Sequence, residues 1–416
     1  MRGNKTAGES WWWGVYSGVV TREYFINTDF DISLRPNRDV SAAGARTRQA
    51  EEMPHHLLLL ALSGDSVLLN DAPDEQFEQY LREMGFPPLA VSVFPEVRRD
   101  AEFTPFGWNR EAEQISSAYS TPAVHPPLEV VRRVNGRRFA ASVESEVFGG
   151  GEVVGVFTSV EDVEECLLNR PVGENGWILK ADHGNAGLGN RRLRARTLGE
   201  TDRGAIARLL AEDRCVLLER WRPRVLDVSS IFEIDASGNV VDLRIHEVVN
   251  TADGAFIGGL FERDSTTVAP WRGAITDAVA AVAEKLTEAG YFGSVCLDSF
   301  VWESGGELHL RAVVDINARL SVSVPAQKLW RAWDGDSTIY WRLFSTRKLR
   351  LPESYAELAK AFGDRTFDAS RHRGVLVTSP LHSGGRRRLR VGVLLAGKTR
   401  AEVEDLDRWL RGRFEK

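Results

Sequence analysis

The stretch LRAVVDINARLS (Leu310–Ser321) runs from an apolar strand into Asp315, Asn317 and Arg319 at alternate positions. Alternate residues of an extended chain lie on one face, so the three polar groups project together from a strand end. Upstream, SVCLDSFVW and ELHLRAVVDIN flank ESGG and read as a hairpin with Gly305-Gly306 as a two-residue turn. That register sets Ser304 opposite Glu307 and Asp298 opposite Val313, one pleat from Asp315. Parity then puts Asp298, Arg311, Asp315, Asn317 and Arg319 on one sheet face. Two carboxylates and an amide oxygen make a hard, oxygen-rich set suited to Mg2+, which takes a few carboxylates together with substrate phosphates. The two arginines offer planar donors for phosphate oxygens. The alternative is a polar face balanced by ion pairs, and a one-residue slip in register would scatter the set.

Two further stretches bear on the choice. GWILKADHGNAGLGN (Gly176–Asn190) places Lys180 on an apolar strand before a loop containing Gly184, Gly187 and Gly189. Glycines let backbone N–H groups approach phosphate oxygens, and the lysine adds a point charge. Neither GxxxxGK[ST] nor GxGxxG occurs there, so the common nucleotide motifs are absent and a plain hairpin loop remains an alternative. In CVLLERWRPRVLDVSSIFEID a strand ends at Glu219, a short linker crosses, and Asp227 opens the next strand. Such a hinge can offer backbone groups to an adenine edge and acids to its amine or to ribose hydroxyls. A salt-bridged strand end fits as well.

Composition sets the frame. The 416 residues are 43% apolar with a net charge of −6, globular in character and long enough for two or three domains. The acidic balance argues against a nucleic-acid binder held by a basic face, and Arg386–Arg388 after HSGG reads as a solvated hairpin rim. Cys166, Cys215 and Cys296 are far apart and form no CxxC pair, which suits a reducing compartment rather than a disulfide framework or zinc site. The first ten residues are polar and the longest apolar run, LLLLAL (Leu57–Leu62), is too short to span a bilayer. A soluble, cytoplasmic protein without membrane or nucleic-acid partners is expected.

Along the chain, SVLL (Ser66–Leu69) reads as a strand, followed by a helix that Asp71 or Asp74 caps and Gly85 and Pro87 stop. LAVSVF completes a small α/β unit, and STPAVHPPLE (Ser120–Glu129) reads as a linker. Helices are expected at Val160–Leu168, Arg203–Glu212 and Ala274–Glu288, and a strand–strand–helix pattern (GVLVTSP, LRVGVLLAG, Arg400–Arg413) ends the chain.

The order is the specific feature: lysine strand, glycine loop, acid-ended strand, second acid, long helix, then a hairpin carrying D…DxN. This resembles the ATP-grasp superfamily over about Val130 to Lys328, in which two α+β subdomains clamp ATP between antiparallel sheets and join a carboxylate to an amine or thiol. The resemblance implies an α+β and α/β chain with a substrate-side domain at 1–129. A core follows at 130–335, its first subdomain (130–213) carrying the lid and its second (214–335) the metal site, with an extension at 336–416. Lys180 is similar to the lysine on the α/β phosphates, and Gly184, Gly187 and Gly189 to the lid over β/γ. Arg138 of VNGRRF stands where the family has its first nucleotide-binding lysine, Glu219 at the adenine hinge and Asp227 at the ribose. Asp298, Asp315 and Asn317 match the metal ligands, and Arg319 a γ-phosphate or acyl-phosphate contact, with Arg311 beside it. Two residues depart from the pattern: Asp315 stands where Glu is commoner, and Arg138 replaces a lysine.

The implied cofactors are ATP and Mg2+, with Mn2+ a substitute; the implied partners are a small carboxylic acid and an amine, such as amino acids or peptides, and by analogy a second copy of the chain. The stand-alone architecture with its C-terminal tail is similar to peptide ligases of the pheganomycin type. A kinase using the same clamp and a non-catalytic nucleotide binder are the competing functions. WWWGVYSG (Trp11–Gly18) and FTPFGWN (Phe103–Asn109) read either as core or as pocket lining, and His183 either as a phosphate or acyl-phosphate contact or, more simply, as a surface residue of a mobile loop.

Overall fold

The computed structural model describes residues 21–37, 51–62, 64–170, 175–184, 187, 190–251, 254–333, 335–383 and 385–415. Gly189 and the tryptophan cluster at 11–13 lie outside the described residues.

The N-terminal part is an α/β unit. Strands β1 (Arg22–Phe25), β2 (Ser66–Leu69), β3 (Val91–Val93) and β4 (Glu102–Pro105) form a parallel sheet in the order β3-β2-β1-β4. Helix Glu75–Glu83 starts where the Asp74 carboxylate accepts the Gln76 N–H at 3.0 Å, and ends before Gly85, whose φ of +86° suits glycine. Its buried face is Phe77, Tyr80 and Leu81. LLLLAL is the end of a 3-10 helix, Met53–Ala61, buried from Leu57 to Ala61. An apolar run too short for a membrane is here the interior of the fold, and no helix among the described residues is long and apolar enough to cross one.

A second, smaller sheet is antiparallel, ordered β5-β8-β6-β7, from Val153–Phe157 (β5), Trp177–Ala181 (β6), Arg191–Leu193 (β7) and Val216–Arg220 (β8). Helices Val160–Asn169 and Glu200–Asp213 cover one face. Trp177, Leu179, Ala181, Val216 and Leu218 point into that cover, forming a cluster of their own with Val163, Leu167 and Ile206. This module thus has an apolar core of its own. The strand period of two sends Lys180 and Glu219 to the opposite face.

The largest sheet has eight antiparallel strands, β13-β12-β9-β10-β11-β14-β18-β15. They are Arg224–Ile234 (β9), Val240–Asn250 (β10), Phe256–Phe261 (β11), Gly293–Ser304 (β12), Glu307–Asn317 (β13), Thr338–Ser345 (β14), Gly374–Val377 (β15) and Arg390–Gly397 (β18). Helix Arg272–Glu288 packs Ile275, Val279, Val282 and Leu286 beneath it. The C-terminal strands β14, β15 and β18 extend the sheet of the hairpin. Helix Arg400–Phe414, opened by the Thr399 side chain, covers β18 and β14.

A two-residue ladder, β16 (His382–Ser383) with β17 (Arg386–Arg387), carries the arginine run. It is not a uniformly solvated rim. Arg386 is exposed, Arg387 pairs with Glu353, and Arg388 is 2% exposed with its Nε donating to the His382 carbonyl.

Candidate active site

A cleft of about 1780 Å3 opens where the three sheets meet. Lys180, Gly184, Gly187, Asp227, Asp298, Asp315, Asn317 and Arg319 all line it, together with Asp29, Phe106 and Trp108 of the N-terminal unit.

The two carboxylates meet more directly than the hairpin pattern implied. Ser304 faces Glu307 as expected, but Asp298 faces Asp315 instead of Val313. Between the Phe300–Arg311 and Asp298–Asp315 pairs β12 has one residue and β13 three, a bulge in which Ser299 Oγ donates to the Ala312 carbonyl at 2.7 Å. Two additional residues shift the register yet preserve parity, so both acids stay on the cleft face. Burial and the facing Asp315 push the Asp298 carboxyl up to about 6. Two facing carboxylates at the wall of the cleft make an oxygen-rich set that fits a hard divalent cation. Asn317 closes the set, its Nδ2 donating to Asp298 Oδ2 at 3.0 Å.

Arg319 is tied from two sides. Its NH2 donates to Asn317 Oδ1 at 2.9 Å, and its Nε to both oxygens of Asp31 at 3.0 and 3.1 Å. Its guanidinium lies 4.8 Å from the Phe106 ring centroid. Asp31 carries no sequence signal, because only the fold brings it to a residue 288 positions away.

Lys180 and Glu219 form one end of a buried ion network. Lys180 Nζ and Arg311 NH1 each donate to Glu219 Oε2 at 2.8 Å, and Arg311 grips both oxygens of Glu144 at 2.7 and 2.8 Å. Burial alone would raise the Glu219 carboxyl, yet the two cations hold it down at about 2. Burial pushes the Lys180 ammonium down, opposed by Glu219. Arg311 was expected beside the phosphates. The structure places it between helix Arg137–Phe148 and β8, with its donors spent on two acids. Glu219, 3% exposed, positions Lys180 rather than facing the cleft. Asp227 does reach the cleft and accepts from Arg224 NH1 at 2.9 Å.

The arginine pair of VNGRRF divides differently from the expectation. Arg138 turns outward, its Nε 2.8 Å from Asp182 Oδ2, and lines a smaller neighbouring cavity. Arg137, one residue earlier, is 5% exposed and points into the cleft. It donates to Asp315 Oδ2 at 3.2 Å, to the Ala181 carbonyl at 2.7 Å and to the Gly184 carbonyl at 3.1 Å. One guanidinium thus joins Asp315 of β13 to the end of β6 and the start of the loop after it. The doublet RR was the only trace of it in the sequence, and helical phase selected the member.

His183 is buried, not a surface residue of the loop. Its Nδ1 is 2.8 Å from Asp213 Oδ1 and its Nε2 3.0 Å from the Arg132 carbonyl. Both acceptors call for protons on the ring; burial opposes the charge, but the Asp213 bond and charge raise its pKa. Asp182 accepts the Arg138 N–H at 3.0 Å, opening helix Arg137–Phe148. Asp182, His183 and Asp213 lie close enough to share an ion, but these bonds already engage all three.

Comparison with solved structures agrees with the architecture. Carboxyaminoimidazole ribonucleotide synthase from Aspergillus clavatus, crystallised with ATP, superposes with a TM-score of 0.53 at 13% identity, over 94% of this chain and 97% of that one. The biotin carboxylase domain of 2-oxoglutarate carboxylase from Hydrogenobacter thermophilus, crystallised with MgADP, ADP and bicarbonate, gives 0.56 at 12% identity, over 96% and 91%. Biotin carboxylase from Campylobacter jejuni gives 0.51 at 13%, over 92% and 88%. No protein-family model matches the sequence, and no curated protein matches it either. At these identities the likeness is one of fold alone, the ATP-grasp fold.

Proposed function

We propose that this chain is an ATP-dependent ligase that joins a carboxylate to an amine through an acyl phosphate, releasing ADP and phosphate. The observation carrying the proposal is the placement of Asp298 against Asp315 in the same cleft as Lys180, Arg137 and Arg319. ATP or ADP in the crystals of proteins with this fold supports the nucleotide assignment.

Asp298, Asp315 and Asn317 would hold Mg2+, which when bound neutralises the phosphate oxygens. Lys180 and Arg137 face the nucleotide phosphates from the lid side, and Gly184 and Gly187 let the loop backbone approach them. Asp227 serves the ribose. An oxygen of the substrate carboxylate attacks the γ-phosphorus, the bond to ADP breaks, and an acyl phosphate forms. Arg319, fixed by Asp31 and Asn317, neutralises charge on the transferred group. The amine then adds to the acyl carbon, the tetrahedral adduct expels phosphate, and the nitrogen gives up a proton. The separate core of the lid suits closure over an intermediate that water would destroy.

In this reading residues 1–129 form the substrate side, 130–335 the nucleotide clamp and 336–416 a sheet extension. A cytoplasmic setting and a dimer fit the reading, and peptide-like substrates are the class pursued below. The test is turnover with Mg-ATP and pooled amino acids and short peptides. Equal ADP and phosphate, with a product one water lighter than two inputs, supports the ligase; ADP with a phosphorylated product supports a kinase; AMP with pyrophosphate overturns the acyl-phosphate route.

A further inference from the structure

The cleft is larger than a nucleotide site alone requires, since pockets for single drug-sized ligands run to about 300–1,000 Å3. Its lining also includes Ser321, Val322 and Ser323, which follow Arg319, together with Met53, Leu343 and Arg390. Arg390 opens β18 opposite Ser345, on the face that Leu343 presents. It is half-buried, and among the described residues its guanidinium makes no hydrogen bond or ion pair. The contrast within the cleft is direct: Arg35, Arg137, Arg191, Arg224 and Arg319 are each held by an acid. Arg110 and Arg208 stand exposed in water, and Arg132, on helix Leu128–Val134, is half-buried and like Arg390 makes no side-chain bond among the described residues.

A half-buried guanidinium that makes no ion pair or hydrogen bond among the described residues is complementary to an oxyanion from outside. Arginine is the side chain suited to planar, two-point recognition of a carboxylate. β18 is six strands from β13, the strand that leads into Arg319, so at about 4.8 Å per strand the two lie about 29 Å apart across the sheet. An extended peptide advances about 3.4 Å per residue, so the space admits more than a single amino acid.

We infer that Arg390 anchors a free carboxylate at the remote end of an elongated, peptide-like substrate whose reacting group lies near Arg319. This rests on the ligase reading for what happens at the reacting end, but the anchoring itself is separable. The same guanidinium could hold a phosphate, so the probes distinguish the two.

The test is calorimetric titration of the full chain, saturated with Mg-ADP, with alanine di- and tripeptides carrying a free C-terminal carboxylate. Their C-terminal carboxamides and inorganic phosphate are the comparison probes. The acids are expected to bind at least tenfold more tightly than the carboxamides. Arg390→Ala and Arg390→Gln should erase that preference, and Arg390→Lys should keep part of it. Mg-ADP affinity and melting temperature should stay at the wild-type values in all three, which separates lost anchoring from lost folding. Acids and carboxamides binding alike, a preference that survives Arg390→Ala, or no peptide binding would overturn the inference. So would phosphate displacing the peptides while the carboxylate makes no difference. If the preference depends on Arg390 but nucleotide fails to bind, the anchor stands and the ligase reading falls.

Discussion

Replacing Arg311 with methionine separates the two roles this arginine could have had. Its three bonds to Glu144 and Glu219 span 2.7 to 2.8 Å, and the three side chains are each at most 6% exposed. Lys180 continues to compensate Glu219, so the acid stranded outright is Glu144. Removing one partner of a buried ion pair costs about 3–5 kcal/mol, because the remaining charge has lost both water and partner. Arg311→Met is therefore expected to lose about that much, and Glu144→Gln in the same chain to restore part of it. Urea unfolding by tryptophan fluorescence, with circular dichroism as second probe for the lid, reads the loss. Mg-ATP affinity measured below the transition should change less than threefold, since the guanidinium does not face the cleft. A loss under about 1 kcal/mol would refute the structural role, and a large loss of nucleotide affinity in a folded variant would return Arg311 to the phosphates.

Three further outcomes are expected. Arg137→Ala should weaken Mg-ATP binding at least tenfold in a fluorescence titration and Arg138→Ala less than threefold; the reverse order would contradict the placement of the pair. The raised folded pKa of His183 contributes stability that is full below the unfolded value of 6.5 and is lost as pH rises through the folded value. His183→Asn should thus lower the melting temperature more at pH 6 than at pH 9, and an equal drop at both would contradict a charged His183. The carboxyl of Glu219 is depressed from 4.5 to about 2, so its contribution is full above 4.5 and fades as pH falls toward 2. Glu219→Gln should flatten the acid limb of the stability profile over that window; an unchanged limb would contradict the network.

The sequence carried local periodicity well and long-range geometry poorly. Alternation along LRAVVDIN placed Asp315 and Asn317 on one face because a strand leaves no other choice. The bulge at Ala312–Val314 left no mark in an unbroken apolar run, so the partner of Asp298 was missed by two residues. Lys180 was legible as a charge on an apolar strand. That Glu219 and Glu144 would consume Arg311 was not, since the partners lie 92 and 167 residues away. Arg137 and Arg138 are adjacent in sequence, and only the start of the helix at Gly136 decides which turns inward. His183 looks solvated because it opens a glycine-containing loop; the Asp213 carboxylate and the Arg132 carbonyl hold it inside. Strand β14 (TIYWRLFS) carries a β-branched and aromatic signal, but its pairing with β11 and β18, through which the C-terminal strands join the large sheet, is long-range and leaves no local mark.

The central claim is that the facing acids of β12 and β13 bind nucleotide through a divalent cation. Its most direct measurement is ATP binding by calorimetry, with Mg2+ and with a chelator, for the wild-type chain and for Asp298→Asn and Asp315→Asn. The account predicts tight binding only with Mg2+, and at least a tenfold loss of that Mg2+-dependent affinity in either variant at an unchanged melting temperature. ATP binding that ignores both Mg2+ and the two acids would contradict it.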